Sequence, residues 1–204
     1  MKEAGKPKGE PRGAATPGLR PGGRSARVQA TVHAAVRDLL AMHDRSELSV
    51  PQVAARAGVT PSTIYRRWGD LQELLADVAL ERLKPETDPI DTGSLRSDLE
   101  LWLEQYREEM SSAPGAALIH DVLASIDRPL GAAQCCTFSK QQFAVMTARA
   151  AARGEAVPDL DTIVDVCLAP IVYRILFGDT VPGAGYVEGL VARLLAGLEP
   201  RPAR

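Results

Sequence analysis

The chain of 204 residues is 45% hydrophobic, 4% aromatic and 25% charged, with a net charge of -2, a composition rich in Ala, Leu and Val that suits one large or two small all-helical domains. No stretch comes near the roughly 18 uninterrupted apolar residues of a membrane helix, and residues 1–23 hold charges, prolines and glycines where a secretory signal needs an apolar core, so the expected location is cytoplasmic. Three cysteines, two of them adjacent as Cys135 and Cys136, exclude a secreted disulfide framework; they are expected to fill helix faces as small hydrophobes, with a metal- or redox-sensing pair as the minority alternative.

The near-neutral balance conceals an asymmetry. Residues 1–67 carry twelve Lys and Arg against five Asp and Glu, and the remainder carries twelve against twenty-one. Such a field would turn the N-terminal end of the molecule toward a polyanion. Residues 1–23, with five basic and two acidic side chains among prolines and glycines, read as a disordered basic tail that either tracks a phosphate backbone or only solubilises the chain.

A first helix is predicted over 25–42, with Val28, Val32, Val36, Leu39 and Leu40 on one face. Ser49 with Gln52 three positions on has the pattern of a capping box and opens a second helix, whose inner face is Val50, Val53, Ala54 and Ala57. Gly58 supplies the left-handed residue that ends it, and Val59 plugs the turn. Thr60 then serves as an N-cap and Pro61 as the first helical residue of a short third helix that sends Ile64 and Trp68 inward. Asp70 and Glu73 form a second box, opening a helix through Leu71, Leu74, Leu75 and Val78.

The residues left outside the third helix give this unit its chemistry. Hydroxyl side chains and the paired Arg66 and Arg67 beside a helix N-terminus suit phosphate oxygens and guanine edges. The plain alternative is an ordinary helical hairpin with a solvated basic face.

The stretch VAARAGVTPSTIYRRW resembles the core signature of the tetracycline-repressor (TetR) family of bacterial regulators, and the resemblance covers residues 25–80. It implies an N-terminal three-helix helix-turn-helix DNA-binding domain, here 24–84, joined to a C-terminal helical ligand-binding and dimerisation domain, here 94–204. Thr60, Thr63 and Tyr65 match phosphate-touching positions, Pro61, Ser62 and Arg67 match positions that meet bases or the adjoining backbone, and Arg27 matches a backbone contact. With Ser49 and Arg66 these make up the candidate DNA-binding set. Two departures stand out: the lysine usual at the start of the following helix is Leu71, and the glycine usual before the first capping serine is absent from residues 43–48.

Two prolines, three acids and a glycine in 84–93 mark a boundary. Beyond it the period is again helical: a stripe of Leu95, Leu99, Trp102, Leu103, Tyr106 and Met110, another of Leu118, Ile119, Val122, Leu123 and Ile126, and a longer helix over 130–153 before Pro158. Residues 166–177 are apolar apart from Pro170, which should kink their helix, and Arg174. The final helix, over 186–198, carries a wide apolar stripe.

The last two helices are expected to pair with a second copy of the chain through Ile171, Ile175, Val187, Leu190, Val191, Leu194 and Leu198, forming an intermolecular four-helix bundle over a palindromic operator; the alternative is that they close the monomer core. A small hydrophobic effector is expected against Trp102, Tyr106, His120, Phe143, Met146, Cys167 and Tyr173, residues that serve equally well as core. No cofactor or metal is implied. A glycine-rich phosphate loop, a metal-spaced His/Cys cluster and a nucleophile elbow are all missing from the sequence, and His33, His43 and His120 fall on separate elements, which speaks against an enzyme. The expected function is a homodimeric repressor released from its operator by the effector. The alternative is a DNA-binding dimer without a ligand or with thiol-based sensing.

Overall fold

The computed structural model describes residues 23–124, 130–180, 182–183 and 185–198. The basic tail expected over 1–23, Ile126 of the second stripe and residues 199–204 of the C-terminal domain lie outside the described residues, apart from Gly23. The fold is helical, with no strand among the described residues. In chain order the helices are α1 (Arg24–Leu40), α2 (Val50–Ala57), α3 (Pro61–Trp68), α4 (Leu71–Leu83), α5 (Leu95–Ser111), α6 (Ala113–Ala124), α7 (Leu130–Ala152), α8 (Leu160–Ile163), α9 (Ala169–Phe177) and α10 (Tyr186–Ala196).

Two apolar cores organise them. Val32, Val36 and Leu39 of α1, Val53 of α2, Ile64 and Trp68 of α3 and Leu74 of α4 make the first. Leu95, Leu99 and Leu103 of α5 meet Phe143 and Met146 of α7, Ile163, Ile171 and the buried face of α10 in the second. Each fully buried aliphatic or aromatic side chain contributes about 1.5–3 kcal/mol. Between the two cores a small cluster joins Ala79 of α4 to Leu118 and Val122 of α6, so α4 belongs to both halves.

Local chemistry sets most boundaries. Gly58 ends α2 at φ 66°, and Val59 donates its N–H back to the Ala54 carbonyl at 3.0 Å, closing a left-handed cap. Asp70 caps α4 by accepting from the Glu73 N–H at 2.9 Å, as its spacing predicts. The box at Ser49 does not form: its hydroxyl donates to Gln52 Oε1 at 2.7 Å, and the two side chains satisfy each other instead of the helix end. Thr60 likewise makes no side-chain cap; its backbone carbonyl accepts from the Thr63 N–H at 2.9 Å.

The boundary segment is strapped down. Gln142 and Arg149 of α7 donate to the carbonyls of Thr87 (3.2 Å) and Pro89 (2.7 Å), and buried Asp98 accepts from the Thr92 N–H at 2.7 Å. Further along, the helix containing Pro170 is not one regular rod. A widened turn over Val164–Leu168 precedes α9, and it absorbs the proline's missing N–H and the ring's demand for space.

The last two helices correct the expected interface. Ile171, Val187, Leu190, Val191 and Leu194 point into the chain's own core and are at most 4% exposed; Ile175 and Leu198 are half-buried. An apolar stripe signals burial without saying against what, and here α5 and the Val164–Leu168 turn supply the cover. Exposed residues of these two helices include Tyr173, Arg174 and Phe177 on α9 and Ala192, Arg193 and Ala196 on α10. Tyr173 and Phe177 are 64% and 70% exposed, and their rings lie 5.1 Å apart.

Candidate nucleic-acid interface and adjoining cavity

The α2–turn–α3 unit is held from beneath by Ile64 and Trp68, one helical turn apart and both buried. That anchorage turns the opposite face of α3 outward. Pro61, Ser62, Tyr65 and Arg66 are exposed on it, and Thr60 and Thr63 sit at its N-terminus with their hydroxyl oxygens 3.1 Å apart. Unsatisfied N–H groups at the start of α3 add partial positive charge to this edge.

Three candidate residues lie differently. Ser49 is half-buried and its hydroxyl is engaged by Gln52. Arg27 is exposed on α1. Arg67 departs most from the outward position its sequence context suggests: its Nη1 donates to the Ser25 carbonyl at 2.7 Å, and the guanidinium stands 5.2 Å over the Trp68 ring. It braces the end of α3 against the start of α1. Arg66 is therefore the exposed member of the pair.

Beneath the reading helix lies a polar cluster that helical periodicity does not reveal. His33 of α1, with no exposed surface, places Nδ1 2.7 Å from Glu81 Oε2 and Nε2 2.9 Å from Asp77 Oδ2. The same Asp77 oxygen accepts from the Trp68 indole N–H at 2.8 Å and from the Gln29 amide at 3.0 Å, while Arg37 donates to Glu81 at 3.0 Å. Burial works to lower the His33 pKa, yet hydrogen bonds and charge from Asp77 and Glu81 outweigh it and leave the ring above its ordinary 6.5. Burial pushes the Asp77 carboxyl up, but donors led by His33 and Trp68 bring it below its ordinary 3.8; the His33 bond does the same for Glu81. The available sequence signal was the pair Asp77 and Glu81, i and i+4 in a helix whose other face is apolar.

A second link joins the two halves. Arg45, in the turn between α1 and α2, pairs with Asp121, which α6 buries to 5% exposure. Burial lowers the Arg45 pKa.

The same α6 walls a cavity of about 640 Å³. The end of α4 contributes Arg82, Leu83, Lys84 and Pro85; α5 contributes Trp102, Tyr106 and Met110; α6 contributes Ile119, Val122 and Leu123. Cys135, Cys136, Phe138 and Gln142 of α7 and Val172, Tyr173 and Phe177 of α9 close the remaining sides. Trp102 and Tyr106 stack with centroids 5.4 Å apart and 13° between planes. Burial pushes the Tyr106 hydroxyl up to about 12, so it faces the cavity as a neutral donor.

Of the residues expected to touch a ligand, Trp102, Tyr106 and Tyr173 line this space. His120 does not, because it is exposed on the outer side of α6. Phe143, Met146 and Cys167 have no exposed surface and belong to the core. Phe143 backs the wall edge-on at 4.8 Å from Trp102, and burial pushes the Cys167 thiol up to about 12. Arg82, Lys84, Phe138 and Gln142 were not anticipated: the approach of the α4 end to α5 and α7 brings them to the cavity.

A helix-turn-helix joined through α4 to a helical domain with an open, largely apolar cavity is the architecture of a DNA-binding transcriptional regulator. The profile described as "Bacterial regulatory proteins, tetR family" matches residues 33–78, and "Tetracyclin repressor-like, C-terminal domain" matches residues 89–194, more than half of the chain. The chain belongs to the TetR family of transcriptional regulators. It is 38% identical to the HTH-type transcriptional regulator AqdR of Rhodococcus erythropolis over 77 residues, which cover 38% of this chain and only 37% of AqdR. Identity to the DNA-binding transcriptional repressor TetR of Mycobacteroides abscessus is 29% over 163 residues, covering 76% and 85% of the two chains. The TetR family transcription regulator SCO0332 shares the fold at a TM-score of 0.66 and 24% identity, over 85% of this chain and all of that one. The family and these relatives are transcriptional regulators and not enzymes.

Proposed function

We propose that the protein is a homodimeric repressor that binds a palindromic operator and is released by a small hydrophobic effector. The observation that carries this reading is the double role of α4. Its first turns pack under α3 through Leu74 and Asp77, and its last residues, Arg82 and Leu83, with Lys84 and Pro85 just beyond, form one wall of the cavity. A molecule filling the cavity presses on the helix that seats the reader. It shifts the equilibrium only by the difference in its affinity for the two arrangements.

In this reading Thr60, Pro61, Ser62, Thr63, Tyr65 and Arg66 face DNA, with Arg27 on the flanking backbone, while Ser49 and Arg67 hold the unit together. The cavity takes a mainly apolar molecule with one polar group for the Tyr106 hydroxyl, because aromatic and aliphatic side chains make up most of its lining. The second copy of the chain covers Tyr173 and Phe177 of α9 and the Ala192–Ala196 edge of α10. As a reader of operator DNA the protein works in the cytoplasm.

Selection of duplexes from a random pool by the full chain, at fixed salt, tests the reading. A palindromic consensus whose binding is relieved by an apolar cavity ligand supports it. A consensus insensitive to every ligand that binds the cavity replaces it with a ligand-free regulator.

A further inference from the structure

We infer that His33 is a positioning residue for DNA binding: clamped as an imidazolium between Asp77 and Glu81, it holds the carboxylate that anchors Trp68 and so sets the seat of the reading helix on α4. This rests on α3 being the DNA-contacting helix.

The argument is one of hydrogen-bond inventory. A carboxylate only accepts, so a ring with a carboxylate oxygen at each nitrogen must donate from both, and only the doubly protonated imidazole has two N–H groups. At 2.7 and 2.9 Å both contacts are of hydrogen-bond length, and the ring has no exposed surface through which water could replace one of them. Loss of one proton leaves a lone pair facing a carboxylate. The cluster then has to open at Glu81 or at Asp77.

Asp77 cannot move alone. Its Oδ2 takes three donors at once, from α1 (His33 and Gln29) and α3 (Trp68). Trp68 is the last residue of α3 and, with Ile64, its inward anchor. A shift of the indole partner is thus transmitted to the helix whose far side carries Ser62, Tyr65 and Arg66. The charged groups around the ring are Asp77 and Glu81 from α4, Arg37 of α1 on the Glu81 carboxylate, and Arg67 of α3 over the Trp68 indole. Two carboxylates nearest the ring against one imidazolium favour keeping the proton, while Arg37 and Arg67 reach it only through Glu81 and Trp68.

The sign follows from these partners. Asp77 and Glu81 raise the ring above its ordinary 6.5, so the clamp is lost as pH rises through the raised value. A purely structural histidine would weaken folding when replaced without tying DNA affinity to its own titration.

The test uses the full chain and a duplex enriched with it at neutral pH. Ring and indole nitrogens of the wild-type protein are followed by NMR from about pH 6 to 9, and affinity for the duplex is measured across the same range at fixed salt for wild type and His33→Gln. We expect two ring N–H groups at neutral pH, a Trp68 indole signal that moves with the ring midpoint, and affinity that falls in step by about tenfold, the equivalent of one pKa unit of coupling. His33→Gln should bind more weakly at neutral pH and lack the step. A ring with a single N–H at neutral pH, an indole signal indifferent to the ring, or a pH step retained by His33→Gln overturns the inference. Should the variant not fold, the wild-type ring and indole titrations decide alone. Should no duplex be enriched, the reading of α3 fails while those same titrations still judge the clamp.

Discussion

The DNA-reading end and the cavity-bearing end of the molecule are both helical and similarly capped, yet their side chains obey different logic. In the reader, small helices with one buried turn each leave no choice: once Ile64 and Trp68 go inward, Pro61, Ser62, Tyr65 and Arg66 must go out. In the larger half, helices such as α7, α9 and α10 have apolar residues on more than one side, and the packing partners decide which side becomes core, cavity wall or outer surface. Phe143 and Trp102 are equally aromatic, yet one is sealed behind the wall that the other forms.

Substitutions in the larger half sharpen this contrast most. Leu194→Asp puts a carboxylate into a site that is 3% exposed and should cost about 4 kcal/mol or more of stability, read as loss of the cooperative urea transition. Tyr173→Asp, on the outer face of α9, should leave the unfolding midpoint within about 0.5 kcal/mol of wild type and dissociate the proposed dimer in sedimentation. A stable monomer from Leu194→Asp would restore that residue to an interface. Phe143→Ala should cost about 3–5 kcal/mol, whereas Tyr106→Phe should leave stability nearly unchanged and weaken binding of hydrogen-bonding cavity ligands in calorimetry.

The reader's two arginines should separate by mechanism. Arg67→Ala removes a donor from the Ser25 carbonyl and should cost about 0.5–1.5 kcal/mol of stability, since the bond is solvent-exposed, with DNA affinity falling as a consequence. Arg66→Ala should leave the melting curve in place and weaken duplex binding by about 1–3 kcal/mol. Equal effects of both on stability would erase the distinction drawn between them.

The smallest effect is in pH. His33, raised above 6.5, stabilises the fold fully below that value and less as pH climbs through its folded pKa. Asp77 and Glu81, lowered from 3.8 and 4.5, stabilise it fully above those values and less as pH falls through their folded ones. Thermal melts should therefore show a plateau between the two limbs, and Asp77→Asn should flatten both.

The sequence by itself determined the all-helical class, the helix-turn-helix and most of its outward residues. Gly58 could end α2 because a left-handed residue needs no side chain, Pro61 could begin α3 because its missing N–H costs nothing there, and Asp70 could cap α4 from three residues away; these are short-range rules that act within one turn. Tertiary structure alone decided that Ile171, Val191 and Leu194 join the core around α5 of the same chain, that His120 faces out, that Arg67 turns back to Ser25, and that His33 finds two carboxylates 44 and 48 residues away. Periodicity marks which face of a helix is buried, but the partner of that face is a property of the path the whole chain takes.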